Sequence, residues 1–203
     1  MRCGQALSRC AAPEAARDAP DRLPAMPLLG KVLRRFRAGE HRSPLAGPEY
    51  AGAGTIAVTS PAFTDGGAIP QKHAGKGVGD NLSPALQWTG VPADARQLVL
   101  IMDDLDVPMP KPLMHTIAVI EPDVAGLGEG ELKPGTTGVR LIKAFGDTYV
   151  GPRPIPGHGP HHYRFLLFAL DQAIPHVADH GTLLAAMAGH VVARGGLTGT
   201  YER

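Results

Sequence analysis

Carboxylate and imidazole side chains at the ends of apolar runs are the chemistry this sequence offers. Asp103-Asp104-Leu105-Asp106-Val107-Pro108 closes the apolar run 97–102. Acids at the end of a buried strand are costly unless they are paired or hydrogen-bonded. Strand period puts Asp104 and Asp106 on one face and Asp103 on the other. His115 lies in the next apolar run, and the same period predicts that it shares a face with Ile117 and Val119. His161 and Tyr163 fall on the face of Phe165. Three segments thus bring two carboxylates, two imidazoles and a phenol out of apolar surroundings. The approach to the last of them, Gly151 to Pro160, spends four prolines and three glycines. Such composition shapes a rigid loop, and loops held by a rigid scaffold often carry function.

Three readings of this set are open. The groups satisfy one another as buried structure. They hold a metal, as two histidines and a carboxylate can, although no HxH or HExxH spacing supports it. Or they line a small anion pocket, in which imidazoles and backbone N–H groups donate to phosphate-like oxygens while carboxylates orient the imidazoles. Nucleophilic catalysis finds little support. There is no GxSxG, and the two cysteines, Cys3 and Cys10, both precede the strand pattern.

The elements that must position these groups read mainly as strands. Thr55–Val58, Ala85–Trp88, Gln97–Met102, Leu113–Ile120, Leu141–Phe145 and Tyr163–Leu170 are predicted strands, separated by Gly- and Pro-rich turns. The continuous apolar run at 97–102 predicts burial on both faces. Near the C-terminus the period changes. Asp179 or Thr182 could cap a helix using Leu183, Leu184, Met187, Val191 and Val192, stopped by Gly195-Gly196 and followed by a short closing strand. Strands that do not alternate with helices argue against a doubly wound fold.

The chain of 203 residues is long enough for one domain and a tail. Net charge is +1, which gives no bulk case for nucleic acid. Residues 1–45 are basic, with nine Lys/Arg against four Asp/Glu. Within them, 1–25 lack periodicity and are expected to be disordered, and Met26 is a plausible alternative start. Leu28, Leu29, Val32, Leu33 and Phe36 recur at helical spacing among Lys31, Arg34, Arg35 and Arg37, predicting a basic amphipathic helix over 27–38. Its apolar face is expected to pack on the body or on a second subunit, the alternative being a membrane-surface anchor. The expected organisation is therefore an extension, 1–45, and a domain, 46–203. No run approaches the ~18–20 apolar residues of a membrane span, no signal-peptide pattern opens the chain, and cysteine usage fits a cytoplasmic location.

Five stretches in order resemble the phosphatidylethanolamine-binding protein family, in particular its bacterial Raf-kinase-inhibitor-like branch. They are Asn81-Leu82-Ser83-Pro84-Ala85-Leu86-Gln87-Trp88, Asp104-Leu105-Asp106-Val107-Pro108 with His115 beyond it, Gly151-Pro152 followed by Pro160-His161-His162-Tyr163, Phe168-Ala169-Leu170-Asp171, and Gly199-Thr200-Tyr201. The resemblance covers about residues 55–203. It implies a mainly β fold, an antiparallel β-sandwich of a large central sheet and a smaller one with few helices. It also implies a pocket for phosphate, phosphoryl headgroups or carboxylates, formed by Asp104, Asp106, Pro108, His115, Gly151, Pro152, His161 and Tyr163. This sequence departs from the family at Leu105, usually proline, at His162, usually arginine, and at Pro112-Leu113-Met114, which replace aromatic residues before the histidine. The expected function is a non-enzymatic binding protein without cofactor or metal, acting on a small anion, a protein partner, or both as a kinase-inhibitor-like module. The alternative is a small-molecule hydrolase or other acid–base enzyme using His161 or His115 with Asp104 or Asp106.

Overall fold

A computed structural model describes residues 27–203. The expected disorder at 1–25, and both cysteines, lie outside the described residues. Among the described residues, two sheets and two α-helices make up the fold. The large sheet has the order β1-β9-β8-β4-β5-β7, where β1 is Gly54–Thr55, β4 Gln97–Asp104, β5 Leu113–Ile120, β7 Val139–Ile142, β8 His161–Leu170 and β9 Val191–Tyr201. Neighbours are antiparallel except β1, which runs parallel to β9. The small sheet, β2 (Ala57–Thr59), β3 (Leu86–Thr89) and β6 (Gly126–Leu127), is antiparallel. The mainly β sandwich expected from the sequence is the fold observed.

The central strands carry the packing. Every residue of β4 is buried, as the unbroken apolar run requires. One face, including Leu98, Leu100, Phe165 and Leu167, packs on Val58, Leu86 and Trp88 of the small sheet. The opposite face, including Val99, Ile101, Leu166 and Phe168, is covered by Leu183, Leu184 and Met187 of α2 (His180–Met187) and by Leu45 and Tyr50. Leu45 thus belongs to the core, and the 45/46 division expected from the sequence runs through this packing. Charge pins the same region. Arg164, on β8, donates to Asp103 at 2.9 and 2.7 Å and to Glu40 at 2.6 Å. Burial opposes the guanidinium charge, but the two carboxylates outweigh it and hold the Arg164 pKa above its ordinary value.

Four sequence expectations are corrected. Asp179 does cap α2, accepting from Thr182 N at 2.9 Å, but the helix ends at Met187, and Val191 and Val192 begin β9. Gly195-Gly196 stops nothing and sits mid-strand. A Cβ at Gly195 would fall 1.7 Å from the Ile56 carbonyl oxygen, so glycine is there to let the β1–β2 chain cross against β9. The predicted strand 141–145 is shifted to Val139–Ile142, leaving Phe145 exposed in the following turn. The helix predicted over 27–38 is α1, Pro27–Leu33, and it is inverted. Gly30 is buried and Leu33 partly so, whereas Leu28, Val32 and Phe36 are exposed at 72%, 63% and 54%. The chain after α1 runs on as a strap, with Ala38 N donating to Val107 O and Gly39 N to Leu105 O.

Because backbone faces backbone at the β9 crossing, Gly195→Ala is expected to cost at least about 3 kcal/mol. A urea unfolding midpoint compared with that of Gly66→Ala, where a Cβ meets nothing within 4 Å and only the positive φ of 73° is strained, separates the clash from the backbone conformation.

Candidate functional site

A cavity of about 600 Å³ opens where β4 ends and β5 and β8 begin, near the 145–155 loop. Its polar floor is Asp104, His115 and His161. Its walls are largely apolar, among them Val107, Pro108, Leu113, Phe145 and Ile155, and Lys76 and Arg153 stand at its edge.

His115 reaches the cavity through an irregularity. Opposite β4, Met102 pairs with Thr116 but Asp103 pairs with Met114, leaving His115 as the extra residue of a β-bulge. A bulge reverses strand parity beyond it. Met114 therefore packs with Ile117 and Val119, and His115 points the other way, toward Tyr163 and Asp104. The expectation that His115 shares the face of Ile117 and Val119 is overturned for this reason. Both residues of the bulge grip the loop: His115 Nδ1 donates to Val150 O at 3.1 Å, and Val150 N donates to Thr116 Oγ1 at 3.0 Å. The Nε2 of His115 is buried without a hydrogen-bond partner among the described residues, 4.0 Å from Asp104. Burial holds this imidazole below its ordinary pKa, against the opposing pull of Asp104 and Val150. It is therefore neutral at pH 7, with the Nε2 lone pair facing the cavity.

His161 is held at both nitrogens. Nδ1 meets Asp104 at 2.8 Å, and Nε2 lies 2.7 Å from Nδ1 of His158, whose Nε2 donates to Leu33 O at 2.9 Å. A carbonyl only accepts, so His158 carries its hydrogen on Nε2. Burial, with help from His161 and Arg37, holds His158 below its ordinary pKa and hence neutral. Its Nδ1 then accepts from His161 Nε2, and Asp104 caps the other ring nitrogen of His161. His158, in the loop before β8, is fully buried beside His161. His162, by contrast, faces away and is half-exposed.

The remaining predicted residues divide. Pro108 and Gly151 line the cavity. Pro152 stands behind the wall, its carbonyl accepting from Gly75 N at 2.9 Å. Tyr163 lies beneath the floor, fully buried, its ring edge-on to His115 with centroids 5.4 Å apart and stacked on His161 at 6.3 Å. Its hydroxyl has no hydrogen-bond partner among the described residues, and burial together with Asp104 pushes its pKa far up. Asp106 is not brought to the cavity. β4 ends at Asp104, whose Oδ1 accepts from Asp106 N at 2.8 Å, and this turn sends the Asp106 carboxylate outward. There it binds Arg37 and accepts from His162 N and Nδ1 at 2.6 and 2.7 Å. Burial would raise its pKa, but Arg37 and His162 prevail and hold it below the ordinary carboxylate range.

Asn81 was quoted in the sequence only as part of a motif, yet it shapes the wall. It adopts a left-handed backbone, φ 56°, which suits asparagine better than most residues. Its side chain donates to Tyr149 O at 2.7 Å and accepts from Gly151 N at 2.9 Å. Gly151 is required at that crossing, since a Cβ would lie 2.1 Å from His73 O.

The profile of the phosphatidylethanolamine-binding protein family matches residues 59–202. The chain belongs to that family. A UPF0098 protein of Methanothermobacter thermautotrophicus is 38% identical over 146 residues, covering 70% of this chain and 95% of its own. One of Mycobacterium bovis is 37% identical over 160 residues, covering 76% and 74%. Among solved structures, a phosphatidylethanolamine-binding protein homologue of Chlamydia trachomatis superposes with a TM-score of 0.65 at 33% identity, covering 73% of this chain and 98% of its own. Escherichia coli YbcL gives 0.66 at 28% identity with the same coverage. The family match begins after the strap, so Leu33 and Arg37 join the site from outside it.

Both His115 and His158 have folded-state pKa values below the unfolded value of about 6.5. Their contribution to stability is complete above that value and is lost as pH falls through and below it, where the unfolded chain takes up protons that the folded chain does not. Unfolding midpoints are expected to drop between about pH 7.5 and about pH 5, and to drop less in His115→Gln.

Proposed function

We propose that the cavity binds a small ligand bearing a phosphoryl or carboxyl group, and that the protein acts by binding rather than by catalysis. The observation that carries this reading is the unpartnered His115 Nε2 at the cavity floor, a buried acceptor. Burying such a group without a partner is costly, and a ligand offering an acid hydrogen satisfies it. A phosphate monoanion and a carboxylic acid carry one. Lys76 and Arg153 at the edge favour negative charge, and the apolar walls accommodate an attached carbon skeleton.

The acid–base alternative is weakened by the same geometry. His161 has no free nitrogen with which to take a proton from a substrate, because Asp104 and His158 occupy both. Only His115 keeps a lone pair toward the cavity, and no hydroxyl or thiol nucleophile was identified from the sequence.

Binding requires a hydrogen on the link to His115 Nε2, brought by the ligand or taken up by the imidazole beside the anion. Affinity is therefore expected to fall as pH rises from about 6 to about 8. NMR titration of the imidazole signals with inorganic phosphate, phosphoethanolamine, acetate and a phosphoserine peptide distinguishes free ligands from a partner's modified side chain. His115→Ala is expected to weaken binding by roughly tenfold or more, about 1.5–3 kcal/mol. No imidazole shift with any of these at millimolar concentration overturns the reading, and phosphate-ester hydrolysis abolished by His115→Ala favours the enzyme.

A further inference from the structure

Among the described residues the exposed large hydrophobic side chains are Leu28, Leu29, Val32, Phe36, Met109 and Phe145. They are not scattered. Met109 and Phe145 line the cavity, and Phe36 and Met109 line the adjoining groove, which shares Pro108 with it. Leu28, Leu29 and Val32 continue the apolar stripe along α1.

The helix is held with this stripe outward. α1 seats on Gly30, where a Cβ would lie 2.1 Å from Pro156 O and 2.6 Å from His158 N. Arg34 Nε donates to Gly157 O at 2.8 Å, Arg37 Nη1 donates to Pro160 O at 2.8 Å, and His158 donates to Leu33 O. Rolling the helix to bury Val32 would drive larger side chains into that backbone contact.

Cations are interleaved with the stripe. Lys31, Arg35 and Arg42 are exposed and make no ion pair among the described residues, while the nearby acids Asp106 and Glu40 are committed to Arg37 and Arg164. Two-fold pairing of copies through this face would set these cations against their own equivalents with no acid between them. An exposed apolar stripe flanked by unpaired cations matches an anionic lipid surface instead.

We propose that α1 and the adjoining groove dock the protein on an anionic bilayer, with Leu28, Leu29, Val32 and Phe36 entering the headgroup–acyl boundary. The test is flotation of the full chain with vesicles of phosphatidylcholine alone or with about one-third phosphatidylglycerol. Binding is expected to be at least about tenfold stronger to the anionic vesicles and to be lost at about 0.5 M salt. Val32→Glu combined with Phe36→Glu should abolish it while leaving the unfolding midpoint and the phosphate titration unchanged. His115→Ala should float like the parent chain, so this proposal and the cavity's ligand fail independently. Equal binding to neutral vesicles, no binding to either, or lipid-free dimerisation removed by the double substitution overturns it.

Discussion

The Asp104 carboxylate, 2% exposed, is the constraint around which the site is arranged. A buried ionised or hydrogen-bonding carboxyl must be fully partnered. One oxygen takes the Asp106 N–H and the other the His161 Nδ1. The first contact turns the chain out of β4 and sets where Val107 and Pro108 stand. The second fixes the imidazole, whose other nitrogen recruits His158 and, through it, the Leu33 carbonyl of the strap. The core beneath supports this without sharing in it. Asp103, one residue earlier, answers the same demand on the opposite face through Arg164.

The strands were legible in the sequence because their apolar runs are long and continuous. Gln97–Met102, Leu113–Ile120 and Tyr163–Leu170 appear close to where hydrophobicity put them, with β4 and β8 extended to Asp104 and His161. Asp104, His115 and His161 were also found by residue type. What failed was parity. A one-residue bulge moved His115 to the other face, and a turn after Asp104 took Asp106 away from it. Neither leaves a signature in residue types, since both depend on pairing between strands distant in the chain.

Glycine serves one purpose in two places. Gly195-Gly196 reads as a helix stop, and Gly30 falls within the predicted amphipathic helix. In each case the absent Cβ serves a close approach of two backbones, to Ile56 and to Pro156–His158. At Gly30 this decides which side of α1 faces the protein, overriding the hydrophobic stripe. Nothing in the sequence shows that the loop following Pro156 folds under the strap and buries His158.

The strap's attachments have a consequence for local opening of the site. Ala38 and Gly39 bond to Val107 and Leu105, and Arg34 and Arg37 to carbonyls of residues 157–160. All these partners lie in loops that exist only once β4 and β8 have paired. Contacts of this kind can open locally, at a free energy below that of global unfolding. Detachment of the strap with both sheets intact would take away the carbonyl that orders His158, so the polar floor of the cavity depends on a segment that belongs to neither sheet.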